Sequence, residues 1–147
     1  MKRNPYVEFL AKYLGDDSDA FLWLLCYGLY VHAIDDIVDG DKTDMQHLLK
    51  TFEFAATVYA YPFFMQNATR LYPLVKMASS TYMNSVLMEK EKKPWMIQYG
   101  DVLRQCGNEV ILAVIEIDCG LDIRIKASME LRELSYNMHH NELGQPI

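Results

Sequence analysis

The stretch from Asp19 to Asp39, DAFLWLLCYGLYVHAIDDIVD, decides the fold of this chain. Its side chains are apolar almost all the way round a helical wheel, and Gly40, a residue typical of the position just past a helix end, follows directly. The uncharged run within it, Ala20 to Ile34, has fifteen residues, whereas a membrane span needs roughly 18 or more. We therefore predict a buried helix in the centre of a bundle and no membrane span.

The chain has seven glycines and five prolines, and the segments between them have the length of helices. Residues 121–125 alternate between apolar and charged side chains, as a short strand would, but helical spacing resumes at once with Ala127, Leu131, Leu134 and Met138. We predict a single all-α domain over residues 1–147, a compact bundle with a loose tail at about 141–147. Its six helices are expected at about 5–14, 19–39, 43–59, 67–88, 94–117 and 127–138.

Composition narrows the class of protein. The 147 residues are 51% hydrophobic and 23% charged, which predicts a globular core. The net charge of −6, without a stripe of Lys or Arg, argues against nucleic-acid binding. Three widely spaced cysteines and no apolar leader after the N-terminus indicate reduced thiols in a cytoplasmic protein.

An aspartate cluster ends the predicted second helix. Asp35 and Asp39 continue the stripe of Phe21, Leu25, Gly28 and His32, and Asp36 lies at its edge. Like charges one turn apart cost about 0.2–0.5 kcal/mol, and negative charge at a helix C-terminus costs about 0.3–1 kcal/mol more. A divalent cation would reverse both effects, because hard cations bind carboxylate oxygens. The alternative is an ordinary exposed, acidic helix end, in which Asp39-Gly40-Asp41 is a turn. His32 is either a further ligand or a core histidine hydrogen-bonded to an aspartate, and we expect the core histidine.

The segment from Cys26 to Gly40, CYGLYVHAIDDIVDG, resembles the first aspartate-rich motif of the class I isoprenoid (terpenoid) synthases, and the squalene/phytoene synthase branch most of all. The resemblance implies an all-α fold in which Mg²⁺ joins carboxylates to a prenyl diphosphate, with Asp35, Asp36 and Asp39 as the metal ligands. Members of this family are roughly twice as long, so the chain would be a reduced version, and catalysis could be lost or completed by a dimer.

The family also has a second metal motif, for which the predicted fifth helix offers two alignments. Asn108, Glu109 and Glu116 resemble the terpene cyclase pattern, with Leu112 in place of a hydroxyl residue. Gln105 and Glu109 fall instead on the two aspartates of the squalene/phytoene synthase pattern. On this resemblance Arg104, His32 and Gln105 are the expected contacts of the diphosphate. The alternative is that this helix is amphipathic and its polar face is simply solvated.

Two other functions fit the sequence. Asp36-x-x-Asp39 and Glu130-x-x-Glu133 have the spacing of the metal motifs in all-α nucleotide pyrophosphohydrolases, which are small, Mg²⁺-dependent and often dimeric. Ten tyrosines, nine methionines and two tryptophans also suit a non-catalytic helical interaction module or a homodimer, because these residues are enriched at interfaces.

Overall fold

The computed structural model describes residues 3–140, and every regular element within them is helical. The all-α prediction is therefore confirmed. The described part of the chain contains eight α-helices and one 3-10 turn. These are α1 (Pro5–Leu14), α2 (Asp19–Asp39), α3 (Met45–Ala60), α4 (Pro62–Gln66), α5 (Ala68–Lys90), α6 (Pro94–Arg104), the 3-10 turn (Gln105–Gly107), α7 (Asn108–Cys119) and α8 (Leu121–His139). The predicted loose tail, 141–147, lies outside the described residues.

Capping side chains explain why the first two helices have the predicted bounds. The Asn4 side chain accepts a hydrogen bond from the Tyr6 amide, and the Ser18 hydroxyl accepts one from the Phe21 amide. Both bonds satisfy amides that an isolated helix start would leave unpaired. At the other end of α2, Gly40 has a φ of 81°, and its amide bonds back to the last turn.

Three later boundaries differ from the prediction. The third helix starts at Met45 because Asp44, rather than Thr43, accepts the hydrogen bond from the His47 amide. The predicted fifth helix is interrupted at Gln105–Gly107, and the break separates α6 from α7. Residues 121–125 form the first turns of α8 and not a strand.

The hydrophobic core gathers side chains from α1, the first half of α2, α4, α5, α7 and α8, together with Val58 near the end of α3. Trp23 lies at its centre with no exposed surface, and its indole N–H donates to the Val58 carbonyl at 3.0 Å. The indole stacks on Tyr27 and Phe64, at ring distances of 5.4 and 5.6 Å. This bond satisfies the polar tip of a buried tryptophan, so Trp23 joins α2 firmly to the end of α3.

The predicted central position of α2 is correct for its first half only. Beyond Leu24, Ala33 is the one buried residue of this helix. The second half of α2 packs against α3, and α3 otherwise packs mainly against the short α4 and, through Val58, against Trp23. Together they form a hairpin whose distal end lies outside the hydrophobic core and is joined to α5 by the hydrogen bond between Asp35 and Tyr82. Its distal end carries the aspartate cluster.

By length and composition, α2 is the one helix in the described residues that would be able to cross a bilayer. The core helix of a globular protein has the same properties, and Phe21, Trp23 and Leu24 of α2 do lie in the core. The structure therefore gives no clear membrane span.

Candidate functional site

Asp35 lies half-buried at the end of α2 and is bonded to α5. The Tyr82 hydroxyl donates to Asp35 Oδ1 at 2.5 Å. Burial, the hydrogen bond to Asp35 and the Asp35 charge all raise the pKa of Tyr82, so the phenol stays neutral and keeps its proton for this bond. The second oxygen of Asp35 accepts no hydrogen bond from the described residues.

Arg104 and Asp39 complete the surroundings of this tyrosine. The Arg104 guanidinium lies 5.5 Å from the centre of the Tyr82 ring and donates to Glu89 at 3.0 Å. Its Nε is buried and has no hydrogen-bond partner among the described residues. Asp39 is exposed, and its charge also raises the pKa of Tyr82. Groups from α2, α5 and α6 therefore surround the phenol of Tyr82. We call this set of residues the Tyr82 cluster: Asp35, Asp39, Tyr82, Glu89 and Arg104.

Asp36 faces the other way, toward α3. Its carboxylate accepts a hydrogen bond from Lys42 at 2.9 Å, and His47 Nε2 lies 3.9 Å from the same oxygen. The Lys42 ammonium holds the pKa of Asp36 below its usual range. His32 is exposed and not a core histidine, although its charge also lowers the pKa of Asp36. Asp36 thus ties the end of α2 to the loop that follows it.

The acids proposed as a second metal motif lie in an alternating row of charges. Glu109 bonds to Arg124 and Arg132, and Glu116 bonds to Arg70 and Arg124. We call this row, which joins α5, α7 and α8, the arginine–glutamate ladder: Arg70, Glu116, Arg124, Glu109 and Arg132. Each carboxylate already has two cationic partners, so a metal would have to displace arginines to bind here.

Gln105 and Asn108 hold the break between α6 and α7. The Gln105 side-chain oxygen accepts hydrogen bonds from the Asn108 amide and the Ser135 hydroxyl. The Gln105 backbone carbonyl accepts one from Arg132 at 3.2 Å. Asn108 is buried, 6% exposed. Both polar side chains are thus bonded within the protein, and these bonds explain why the helix is interrupted here.

Glu130 and Glu133 belong to a different part of the molecule. They line a groove of about 420 Å³ between α1 and α8. Lys12 and Tyr13 of α1 donate to Glu130 at 2.8 and 2.5 Å. Asp36 and Asp39, by contrast, lie with the α2–α3 loop and the Tyr82 cluster. The structure does not bring the two pairs together as a pyrophosphohydrolase site would.

Of the predicted metal ligands, Asp35 and Asp39 are the two acids that both act on Tyr82 and that have no cationic partner among the described residues. Within residues 3–140 no group of three or more His, Cys, Asp or Glu side chains is placed to hold a metal ion. Two carboxylates still fit Mg²⁺, because this ion commonly keeps several waters and takes its other ligands from a bound phosphate.

Tyr82 and Glu89 are the residues of this cluster that sequence analysis missed, and Tyr82 is the one that bonds to a predicted ligand. It lies on the narrow α5 stripe that faces the core, between the buried residues Ala78 and Ser85. A tyrosine at the polar end of an apolar stripe was the available signal, since a buried phenol needs a hydrogen-bond partner.

No protein-family model matches the chain, and neither a curated protein nor a solved structure matches it. The resemblance of the α2 motif to isoprenoid synthases therefore stays a prediction, and the Tyr82 cluster is the site with the most support from geometry.

Proposed function

We propose that the protein binds a prenyl diphosphate through Mg²⁺ held by Asp35 and Asp39. The observation that carries this proposal is the hydrogen bond by which Tyr82 of α5 holds one oxygen of Asp35, beside Arg104 and within reach of the Asp39 charge. A cation between the two carboxylates would remove their mutual repulsion and leave ligand positions open for phosphate oxygens.

The neighbouring groups support this role. The Tyr82 hydroxyl holds one oxygen of Asp35 and so orients the other. Arg104 supplies a guanidinium whose Nε is not hydrogen-bonded within the described residues, and a planar guanidinium suits phosphate oxygens. Lys42, which is 61% exposed beside Asp36, adds a second cation at the same end of α2.

The proposal concerns binding more than turnover. Metal-assisted loss of diphosphate needs positive charge concentrated on the leaving group. In the isoprenoid synthase pattern, further Mg²⁺ held by a second acidic motif would supply this charge, but here Glu109 and Glu116 are bonded to arginines of the ladder. We therefore expect a ligand-dependent Mg²⁺ site with little or no release of diphosphate.

Calorimetric titration of Mg²⁺, with and without farnesyl diphosphate, tests the proposal. The wild-type chain should bind Mg²⁺ markedly more tightly when the diphosphate is present. Asp39→Asn should weaken this binding by about tenfold or more, because one of two carboxylate ligands is lost. Inorganic pyrophosphate in place of the prenyl compound shows whether the diphosphate alone is sufficient.

Asp41→Asn is the matched control. It removes the same charge two residues further on, beyond the helix end, and should leave the titration unchanged. Equal weakening in both variants would show only a general effect of charge. Absence of diphosphate-dependent Mg²⁺ binding in the wild type would overturn the proposal.

A further inference from the structure

A stripe of exposed apolar side chains runs the length of α3. Met45, Leu49, Phe52 and Tyr59 are 70%, 62%, 77% and 40% exposed, and Ala56 is exposed between the last two. Their spacing places them within a narrow arc of the helix. The opposite face of α3, with Thr51 and Val58, is the one that packs against the rest of the molecule.

We propose that this stripe binds the same stripe of a second copy of the chain, with the two α3 helices antiparallel about a two-fold axis at Phe52. This inference does not depend on the proposed function.

The order of residues along the stripe is suited to pairing with itself. About an axis at Phe52, Met45 lies opposite Tyr59 of the second copy, and Leu49 lies within one residue of Ala56 of the second copy. Large side chains thus meet at both ends and at the centre, and a small one meets Leu49. A two-fold interface requires such a self-complementary patch.

The charged residues beside the stripe are also complementary. Lys50 and Glu53 are exposed on the same side of α3, with Glu53 at the edge of the stripe and Lys50 about 60° further round the helix. In an antiparallel pair the same flanks of the two helices meet, so Lys50 of each copy comes beside Glu53 of the other. The other flank carries Leu48 and Ala55, which would meet their counterparts as apolar contacts. Neither flank brings like charges together.

The size of the patch favours a protein partner. Aromatic side chains carry about 150–250 Å² each, so the stripe exposes on the order of 500 Å². This is near the upper end of about 300–600 Å² for the largest patch on a monomer. A stable interface needs about 800 Å² per partner, so side chains on both flanks of α3 must take part as well. A membrane surface fits less well, because interfacial helices carry several basic residues, whereas α3 has one lysine, Lys50.

Sedimentation velocity over a dilution series tests the inference. The wild-type chain should have the mass of two chains and dissociate on dilution. Phe52→Glu should raise the dissociation constant by about tenfold or more, because two carboxylates would face each other in an apolar contact. Met129→Glu is the matched control: Met129 is 74% exposed on α8, away from the stripe, so the dimer should persist.

Charge reversal gives an independent test in case Phe52→Glu disturbs folding. Lys50→Glu and Glu53→Lys should each weaken the dimer, and the double variant should restore it, while circular dichroism monitors the helices. A wild-type chain that stays monomeric at all concentrations would overturn the inference. So would a dimer that tolerates Phe52→Glu, and so would a monomer that floats with phosphatidylcholine vesicles.

Discussion

The three aspartates at the end of α2 differ in what holds them. Asp35 is bonded to a neutral phenol, Asp36 is paired with an ammonium group, and Asp39 is exposed. A neutral hydrogen bond leaves the charge of Asp35 available to a cation, whereas Lys42 already balances that of Asp36. We therefore assign Asp35 and Asp39 to the proposed cation and Asp36 to the ion pair with Lys42, although the three aspartates look equivalent in the sequence.

Removal of the Lys42 charge by Lys42→Met should change the acid stability of the protein. The folded pKa of Asp36 lies below its ordinary value of 3.8, and its hydrogen bond to Lys42 is the largest cause. Its contribution to stability is therefore present above about pH 4 and is lost as the pH falls through the folded pKa. In Lys42→Met the pKa of Asp36 should return toward the ordinary value, and the free energy of unfolding should fall less steeply below pH 4.

Carboxyl NMR titration of Asp36, with urea unfolding at several pH values, provides the measurement. Lys76→Met, which removes an exposed lysine of α5, is the control and should leave both curves unchanged. An unaltered pKa of Asp36 in Lys42→Met would show that the ion pair does not form in solution.

At this scale the sequence predicted which residues cluster but not how their roles divide. Spacing on one helix places Asp35 and Asp39 together, and both do lie beside the same phenol. Tyr82 and Arg104 come from helices far along the chain, and no local pattern in α2 refers to them. His32 differed from the expectation of a core residue because the second half of α2 lies outside the core.

The sequence predicted a helix end correctly where one capping side chain or one glycine sets the position of that end. The bounds of α1 and α2 follow from Asn4, Ser18 and Gly40, all readable in the sequence. The break at Gln105–Gly107 was missed because its cause is tertiary: Ser135 and Arg132 of α8 bond to Gln105. Such contacts override local helical preference.

The contact between α5 and α6 depends on the small size of Gly100. A Cβ at this position would lie 3.2 Å from the Ser85 backbone oxygen, closer than ordinary contact, and backbone cannot easily move away. Gly100→Ala should cost about 1–3 kcal/mol from overpacking, offset by about 1 kcal/mol of helix propensity. We expect a net loss of about 1 kcal/mol in the free energy of unfolding.

Gly28→Ala is the matched control within α2. No atom lies within 4 Å of a Cβ built there, so only the gain in helix propensity applies. The variant should be more stable by about 0.5–1 kcal/mol. Chemical unfolding of both variants measures the contrast, and equal effects at the two glycines would contradict the close α5–α6 approach.

The molecule consists of a hydrophobic core and the α2–α3 hairpin, most of which lies outside that core. Five residues of α7 are buried, including Val110, Val114 and Ile115, whereas α3 buries only Thr51 and Val58. Regions with few buried contacts open locally at lower free energy than the core. The two helices should therefore report different unfolding events.

Hydrogen exchange of the Phe52→Glu chain, in which association should not cover α3, tests this division. Amides of α3 should exchange much faster than those of α7. Ile115→Ala should cost about 2–5 kcal/mol of global stability and lower the protection of α7 by a similar amount, with little change in α3. Equal protection of α3 and α7, or an equal loss of protection in both after Ile115→Ala, would mean that the molecule unfolds as one unit.

The all-helical class of the molecule was predictable from composition and periodicity, but its division into core and hairpin was not. The sequence of α2 is uncharged from Ala20 to Ile34, so its pattern gives no sign that only the first half is enclosed. That outcome depends on which helices pack beside it, and a single helical wheel does not contain this information.

The arginine–glutamate ladder has a consequence for how this chain can diverge. Its five charges alternate in sign across three helices, so the loss of Arg124 alone would leave two partly buried carboxylates each with one fewer partner. Loss of a glutamate would likewise leave arginines facing one another. Substitutions that survive selection at these positions should therefore arrive in pairs, and lineages of this protein should show the five sites covarying as one unit.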